Sequence, residues 1–212
     1  MVIEGDVLHE NHSLKRSLTL NRVFGLFLFH NCRFEVIMTR PLNLYLVGPM
    51  GAGKSTIGKH LARELNIEFH DTDQVIEERS GADIGWIFDL EGEEGFRKRE
   101  RQVIDELTHR VGIVLATGGG AILDSENRNR LAARGTVVYL HTTVEQQMKR
   151  TMRDKRRPEL QNQDLTEDDM VDIMQMRDPL YQEIADIVVE TDGRTVRSVA
   201  AEVIRLLDEE LS

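Results

Sequence analysis

Between the apolar run Leu42-Asn43-Leu44-Tyr45-Leu46-Val47 and a stretch whose Ile57, Leu61 and Leu65 share one helical face, the chain reads Gly48-Pro49-Met50-Gly51-Ala52-Gly53-Lys54-Ser55. This is G-x-x-x-x-G-K-S in the strand–loop–helix setting that a phosphate-binding P-loop requires. Backbone N–H groups of such a loop converge on phosphate oxygens at a helix N-terminus, where the dipole favours negative charge. Lys54 can reach the β- and γ-phosphates, and the Ser55 hydroxyl can take a Mg²⁺ coordination position. A glycine-rich turn matching by chance is the bland alternative, and correct flanks on both sides argue against it. The chain is expected to bind a nucleoside triphosphate.

A length of 212 residues suits one α/β domain with a full core. The net charge of −10 argues against broad binding to nucleic acid or anionic membrane, both of which call for basic surface. A single cysteine, Cys32, excludes an intramolecular disulfide framework and a multi-cysteine zinc site. No apolar stretch approaches the roughly 20 residues of a membrane-spanning helix. A reducing cytoplasm fits. Residues 1–37 differ from the rest: Lys15, Arg16, Arg22 and Arg33 balance Glu4, Asp6, Glu10 and Glu35, so the whole −10 belongs to 38–212. Val23–Phe29 resembles the apolar heart of a signal peptide, but acids precede it and no A-x-A-like site follows. Met38 is the expected natural start, with 1–37 a poorly ordered extension.

From Met38 strands alternate with helices. Strands are expected at 42–47, Ile67–Asp71, Gly112–Ala116, Thr136–Leu140 and Ile187–Val189. Helices are expected after the P-loop, at Gln74–Arg79, from Asp83, at about Glu94–His109, near Glu126–Ala133, from Thr143, at Leu180–Ile184 and at Val196–Leu211. Five short strands separated by helices imply a parallel sheet covered on both faces. Ligands of such sheets gather at the carboxyl ends of the strands.

Those ends carry the chemistry. Asp71-Thr72-Asp73 follows the second strand; two acids there can divide the holding of a metal's waters from the orientation of an attacking hydroxyl. Helix capping by Thr72 or Asp73 is the competing explanation. Arg97 and Glu100 lie three apart on one helix, so the acid can aim the guanidinium, whose planar fork suits a substrate carboxylate. A solvated ion pair is the plain alternative. Arg177, before Asp178-Pro179-Leu180-Tyr181, is a second candidate. Thr117-Gly118-Gly119-Gly120 lets a ligand approach exposed N–H donors. Residues 149–158 hold six basic side chains in ten without interleaved aromatics, which fits a lid over phosphates better than a nucleic-acid patch.

Taken in order, G-P-M-G-A-G-K-S-T at 48–56, D-T-D at 71–73, F-R-K-R-E at 96–100, G-G-G at 118–120, R-R-P at 156–158 and R-D-P-L-Y at 177–181 make residues 38–212 resemble the shikimate kinase family. The resemblance implies the nucleoside-monophosphate-kinase-like P-loop NTPase fold, a three-layer α/β/α domain with a five-stranded parallel sheet. It places substrate-binding helices at about 72–110 and the lid at about 149–166. It implies transfer of the ATP γ-phosphoryl to the 3-hydroxyl of shikimate, in aromatic amino acid biosynthesis, by a cytoplasmic monomer that engages neither nucleic acid nor membrane. Asp73 would bind the substrate hydroxyls and act as base or orienter. Arg97 and Arg177 would clamp the carboxylate, helped by the Gly119 N–H. Gly51, Ala52, Gly53, Lys54, Ser55 and Thr56 would hold the ATP phosphates, and Ser55, with Asp71 through water, would hold Mg²⁺. Arg157 would stabilise charge on the transferring group, and Arg194 would sit by the adenine. The chain reads Arg-Pro-Glu-Leu at 157–160, where the family commonly has Arg-Pro-Leu-Leu.

Three rival readings fit the residues less well. A GTPase switch needs N-K-x-D, which is absent, and Asp89-Leu90-Glu91-Gly92 follows a helical pattern rather than a strand. A gluconate or nucleotide kinase of the same fold fits the F-R-x-x-E helix and triple glycine poorly. A non-catalytic regulator is at odds with intact Lys54, Asp71 and Asp73.

Overall fold

Leu44–Val47 forms the central strand β1, and all four side chains are buried although none alternates with a polar residue. That pattern requires cover on both faces. Leu44 and Leu46 enter one core with Ile57, Leu61, Val199 and Val203. Tyr45 and Val47 point oppositely, into a core with Ile76, Phe96, Ile104, Leu131 and Tyr181.

The computed structural model describes residues 43–151 and 166–210; the expectations for residues 1–37 and for Arg157 lie outside them. After β1 come α1 (Lys54–Leu65), β2 (Glu68–Asp71), α2 (Thr72–Ser80), α3 (Ile84–Thr108), β3 (Ile113–Ala116), a 3₁₀ turn (Ala121–Leu123), α4 (Ser125–Arg134), β4 (Thr136–His141), α5 (Val144–Thr151), α6 (Glu167–Ile184), β5 (Ile187–Glu190) and α7 (Val196–Glu210). All pairings are parallel, in the order β2-β3-β1-β4-β5. The expected five-stranded, doubly covered parallel sheet is therefore present. Because β1 lies between β3 and β4, the P-loop opens beside the ends of both.

Two details differ from expectation, the cap of α2 and the start of α6, while the helices across 83–109 follow it. The cap of α2 is Asp71, not Thr72 or Asp73: its side chain accepts from the Asp73 and Gln74 amides at 3.1 and 3.4 Å. Asp71 still has extended backbone, whereas Thr72 and Asp73 are already helical and cannot cap. The two helical stretches expected across 83–109 are present within α3, where they meet without a loop at a kink on Gly92, whose φ of 68° and ψ of −177° are not helical. Across that kink Arg99 grips Glu91 with two hydrogen bonds, at 2.9 and 2.6 Å. Finally, α6 runs well before Leu180 and carries Pro179 in its interior. A capping box between Thr166 and Asp169, three acids in the first turn and buried Met170, Met174, Tyr181 and Ile184 sustain it through the one amide that proline lacks.

At the opposite end of the sheet, buried Asn43 pins β1 to β3. Its Oδ1 accepts from the Gly112 and Ile113 amides at 2.9 and 3.3 Å, and its Nδ2 donates to the Arg110 carbonyl at 2.8 Å. Asn43→Ala strands these groups, so unfolding in denaturant should show a loss of about 1–3 kcal/mol while turnover per folded molecule is unchanged. An unaltered unfolding midpoint would remove Asn43 from this role.

Candidate active site

Gly51 and Gly53 take φ of 78° and 92°, the left-handed conformations that let the P-loop turn its amides inward before α1. Lys54 Nζ donates to the Gly48 and Pro49 carbonyls at 2.7 and 2.8 Å, so the lysine arches back over the loop it serves. Ser55 Oγ donates to Asp71 Oδ2 at 2.6 Å, joining the first turn of α1 to the end of β2. These are hard oxygen donors of the kind that Mg²⁺ selects, and their adjacency passes the test of donor chemistry. Thr56 follows on the first turn of α1, and Ala52 is buried.

The end of β3 is drawn toward both neighbours. The Thr117 amide donates to the Leu46 carbonyl at 3.1 Å, and the Gly118 amide donates to the buried Thr72 hydroxyl at 2.9 Å. A methyl group placed on Gly118 would lie 2.7 Å from Glu100 Oε1 and 3.0 Å from Asp73 Oδ1. One placed on Gly119 would lie 3.4 Å from the Met50 nitrogen of the P-loop. The glycine turn thus touches the phosphate loop on one side and the two carboxylates on the other.

Glu100 is fully buried and receives Arg97 Nη1 at 2.8 Å, while Glu93 holds the same guanidinium at 3.2 Å. The plain alternative of a solvated pair is thereby excluded for Glu100. Burial pushes the Glu100 carboxyl up; Arg97 opposes the rise and the nearby Asp73 carboxylate adds to it. Burial alone would lower Arg97, but Glu100 and Glu93 outweigh it and keep the guanidinium firmly protonated. Phe96 stacks on Phe88 with centroids 4.7 Å apart, walling the side of Arg97.

Arg177 sits in the interior of α6 rather than at a helix end, beside the Tyr181 hydroxyl. Arg194 lies before α7, where it donates to the Glu190 and Ser198 carbonyls at 3.1 Å each and pairs with Glu202. Asp73, Arg97, Gly118 and Gly119 come together with the P-loop; Arg194 is held by its own segment.

Residue-level reading missed two supports. Thr72 is expected at most to cap a helix, yet it anchors the glycine turn. Arg150, in the basic run taken for a lid, belongs to α5 and donates to the Gly51 carbonyl at 2.8 Å and the Thr191 carbonyl at 3.1 Å. Asp192 gathers Thr142 and Thr143 around the same corner. No local pattern marks these; they depend on which strands are neighbours. Residues 152–165 of the expected lid lie outside the described residues.

A family model for shikimate kinase matches residues 50–208. A shikimate kinase of Vibrio cholerae is 58% identical over 174 residues, covering 82% of this chain and 99% of that one. A shikimate kinase of Alteromonas mediterranea is 60% identical over 167 residues, covering 79% and 97%. Among solved structures, shikimate kinase from Acinetobacter baumannii in complex with shikimate gives a TM-score of 0.76 at 51% identity, over 80% of this chain and 94% of that chain. A gluconokinase from Sinorhizobium meliloti 1021 gives 0.50 at 17% identity, over 81% and 96%, a likeness of fold alone.

Proposed function

We infer the working of this site from the premise that the chain belongs to the shikimate kinase family. It is a kinase that uses ATP to phosphorylate shikimate, a step of aromatic amino acid biosynthesis, and the 3-hydroxyl is the acceptor. One observation carries the reading to residues: the Gly118–Gly119 turn abuts the P-loop at Met50 on one face and Asp73 and Glu100 on the other. Donor and acceptor halves therefore share one wall.

Gly51 to Thr56 wrap the ATP phosphates, and Lys54 exchanges its two loop carbonyls for phosphate oxygens. Ser55 and, through water, Asp71 would hold Mg²⁺, which would supply neutralisation of the phosphate charge. Arg97 and Arg177 grip the shikimate carboxylate with the Gly119 N–H, which leaves the ring hydroxyls facing Asp73. Asp73 orients the 3-hydroxyl and accepts its proton as the O–P bond forms and the bond to ADP breaks. Arg157, outside the described residues, would stabilise charge on the transferring group, and Arg194 would sit by the adenine. The working unit is residues 38–212, acting as a cytoplasmic monomer without nucleic acid or membrane; among the described residues no helix is long and apolar enough to cross one.

The test is ADP release with shikimate, gluconate, CMP and AMP offered separately, by the full chain and by a chain begun at Met38. Turnover on shikimate alone, by both chains, is expected. Turnover on gluconate or a nucleotide with none on shikimate would overturn the substrate. Activity confined to the full chain would make residues 1–37 part of the working unit.

A further inference from the structure

Three consecutive glycines form a turn with no side chains of its own to hold it, and glycine has the most backbone freedom to lose. Something else must hold the Gly118–Gly120 turn still. Tyr181, on α6 and wholly buried, donates its hydroxyl to the Gly119 carbonyl at 2.5 Å. Its ring stacks on buried Tyr139 of β4, with centroids 4.9 Å apart. The Tyr139 hydroxyl in turn donates to Asp178 at 2.7 Å, and Gln182 Nε2 donates to the same carboxylate at 2.6 Å.

The peptide between Gly119 and Gly120 is planar and trans, so fixing its carbonyl also fixes the direction of the Gly120 N–H, opposite to Tyr181. A methyl placed on Gly120 would fall 2.5 Å from Arg97 Nη2. The peptide is therefore held by Tyr181 and runs close beside the Arg97 guanidinium. Arg177, one turn before Tyr181 on the same helix, lies beside the hydroxyl that does the pinning.

We propose that Tyr181 is a positioning residue for the acceptor: its hydroxyl locks the glycine turn to the helix bearing Arg177, so that the carboxylate clamp is set before substrate arrives. The proposal rests on the reading of shikimate as the acceptor. Pre-organisation of this kind raises affinity by removing ordering cost from the binding step. A residue that merely fills the core would act through its ring, and the hydroxyl would be dispensable.

Tyr181→Phe keeps the ring and the stack and deletes only the hydroxyl. The KM for shikimate should rise about tenfold, the effect of one lost hydrogen bond, while the KM for ATP stays put. Tyr139→Phe breaks the link to Asp178 but leaves the Gly119 bond, and should change the shikimate KM less than about threefold. Calorimetric titration of shikimate into each variant gives the same comparison without turnover. An unchanged shikimate KM in Tyr181→Phe overturns the proposal, as does an equal rise in both substrates' KM. An insoluble Tyr181→Phe also overturns it, since a positioning hydroxyl is not needed for folding. A wild-type protein that fails to phosphorylate shikimate would instead overturn the substrate assignment.

Discussion

Asp73→Asn is expected to lower kcat by about 10²–10⁴-fold, the range for loss of a general base, while ATP affinity stays within about twofold. The two outcomes separate because Asp73 lies beside Gly118 and is no part of the P-loop, which approaches the turn at Gly119. Asparagine has the shape of aspartate, and the cap of α2 belongs to Asp71, so the helix start survives the change. Removing the Asp73 charge also relieves one of the influences that push Glu100 up. Steady-state turnover together with equilibrium ATP binding checks the prediction. Near-normal turnover in the variant would strip Asp73 of its role in the transfer.

Arg97→Ala should raise the KM for shikimate about 100-fold, as expected when a charged partner of a carboxylate is truncated. It should also cost stability, because Glu100 is left buried without its guanidinium. The penalty should be about 2 kcal/mol, below that of a fully buried pair since Arg97 keeps 22% of its side-chain surface in water. The pH dependence has a definite sign. Glu100 in the folded chain holds its proton to higher pH than an unfolded glutamate does. Its stabilising contribution is thus complete below the ordinary glutamate range and lost as pH rises through the elevated value. Without Arg97 that elevation grows, so the variant should lose stability over a wider span toward neutral pH. Arg97→Lys keeps the charge but not the planar fork and should recover little of the shikimate affinity. An unchanged shikimate KM in Arg97→Ala would return this side chain to a surface ion-pair role.

Much of the fold could be read along the chain because each strand is a short apolar block and each helix announces its start and stop locally. Asp83 before Ile84, Gly81 after Ser80 and the apolar spacing through Val103, Ile104 and Leu107 all act within a few residues. The reading faltered where one local signal opposed many distant ones. A helix is expected only at Leu180–Ile184, yet buried Met170, Met174, Tyr181 and Ile184 carry α6 through Pro179 from Glu167. Likewise the two acids flanking Thr72 read as the chemistry, and the threonine as a competing helix cap. Only the neighbouring β3 reveals that Thr72 holds the Gly118 amide.

The P-loop, the paired strand-end acids, the Arg97–Glu100 face and the parallel α/β class were determined by sequence alone, since each depends on contacts within one turn, one strand end or one repeating period. Tertiary structure decided how the halves meet. It set β1 between β3 and β4, seated Gly119 against Met50, buried Glu100, made Arg150 a brace for the P-loop and brought Tyr181 onto a carbonyl 62 residues away. Spacing cannot encode such meetings, because a contact of that range is fixed by strand order and by the packing of helices across the sheet rather than by any local preference of the chain.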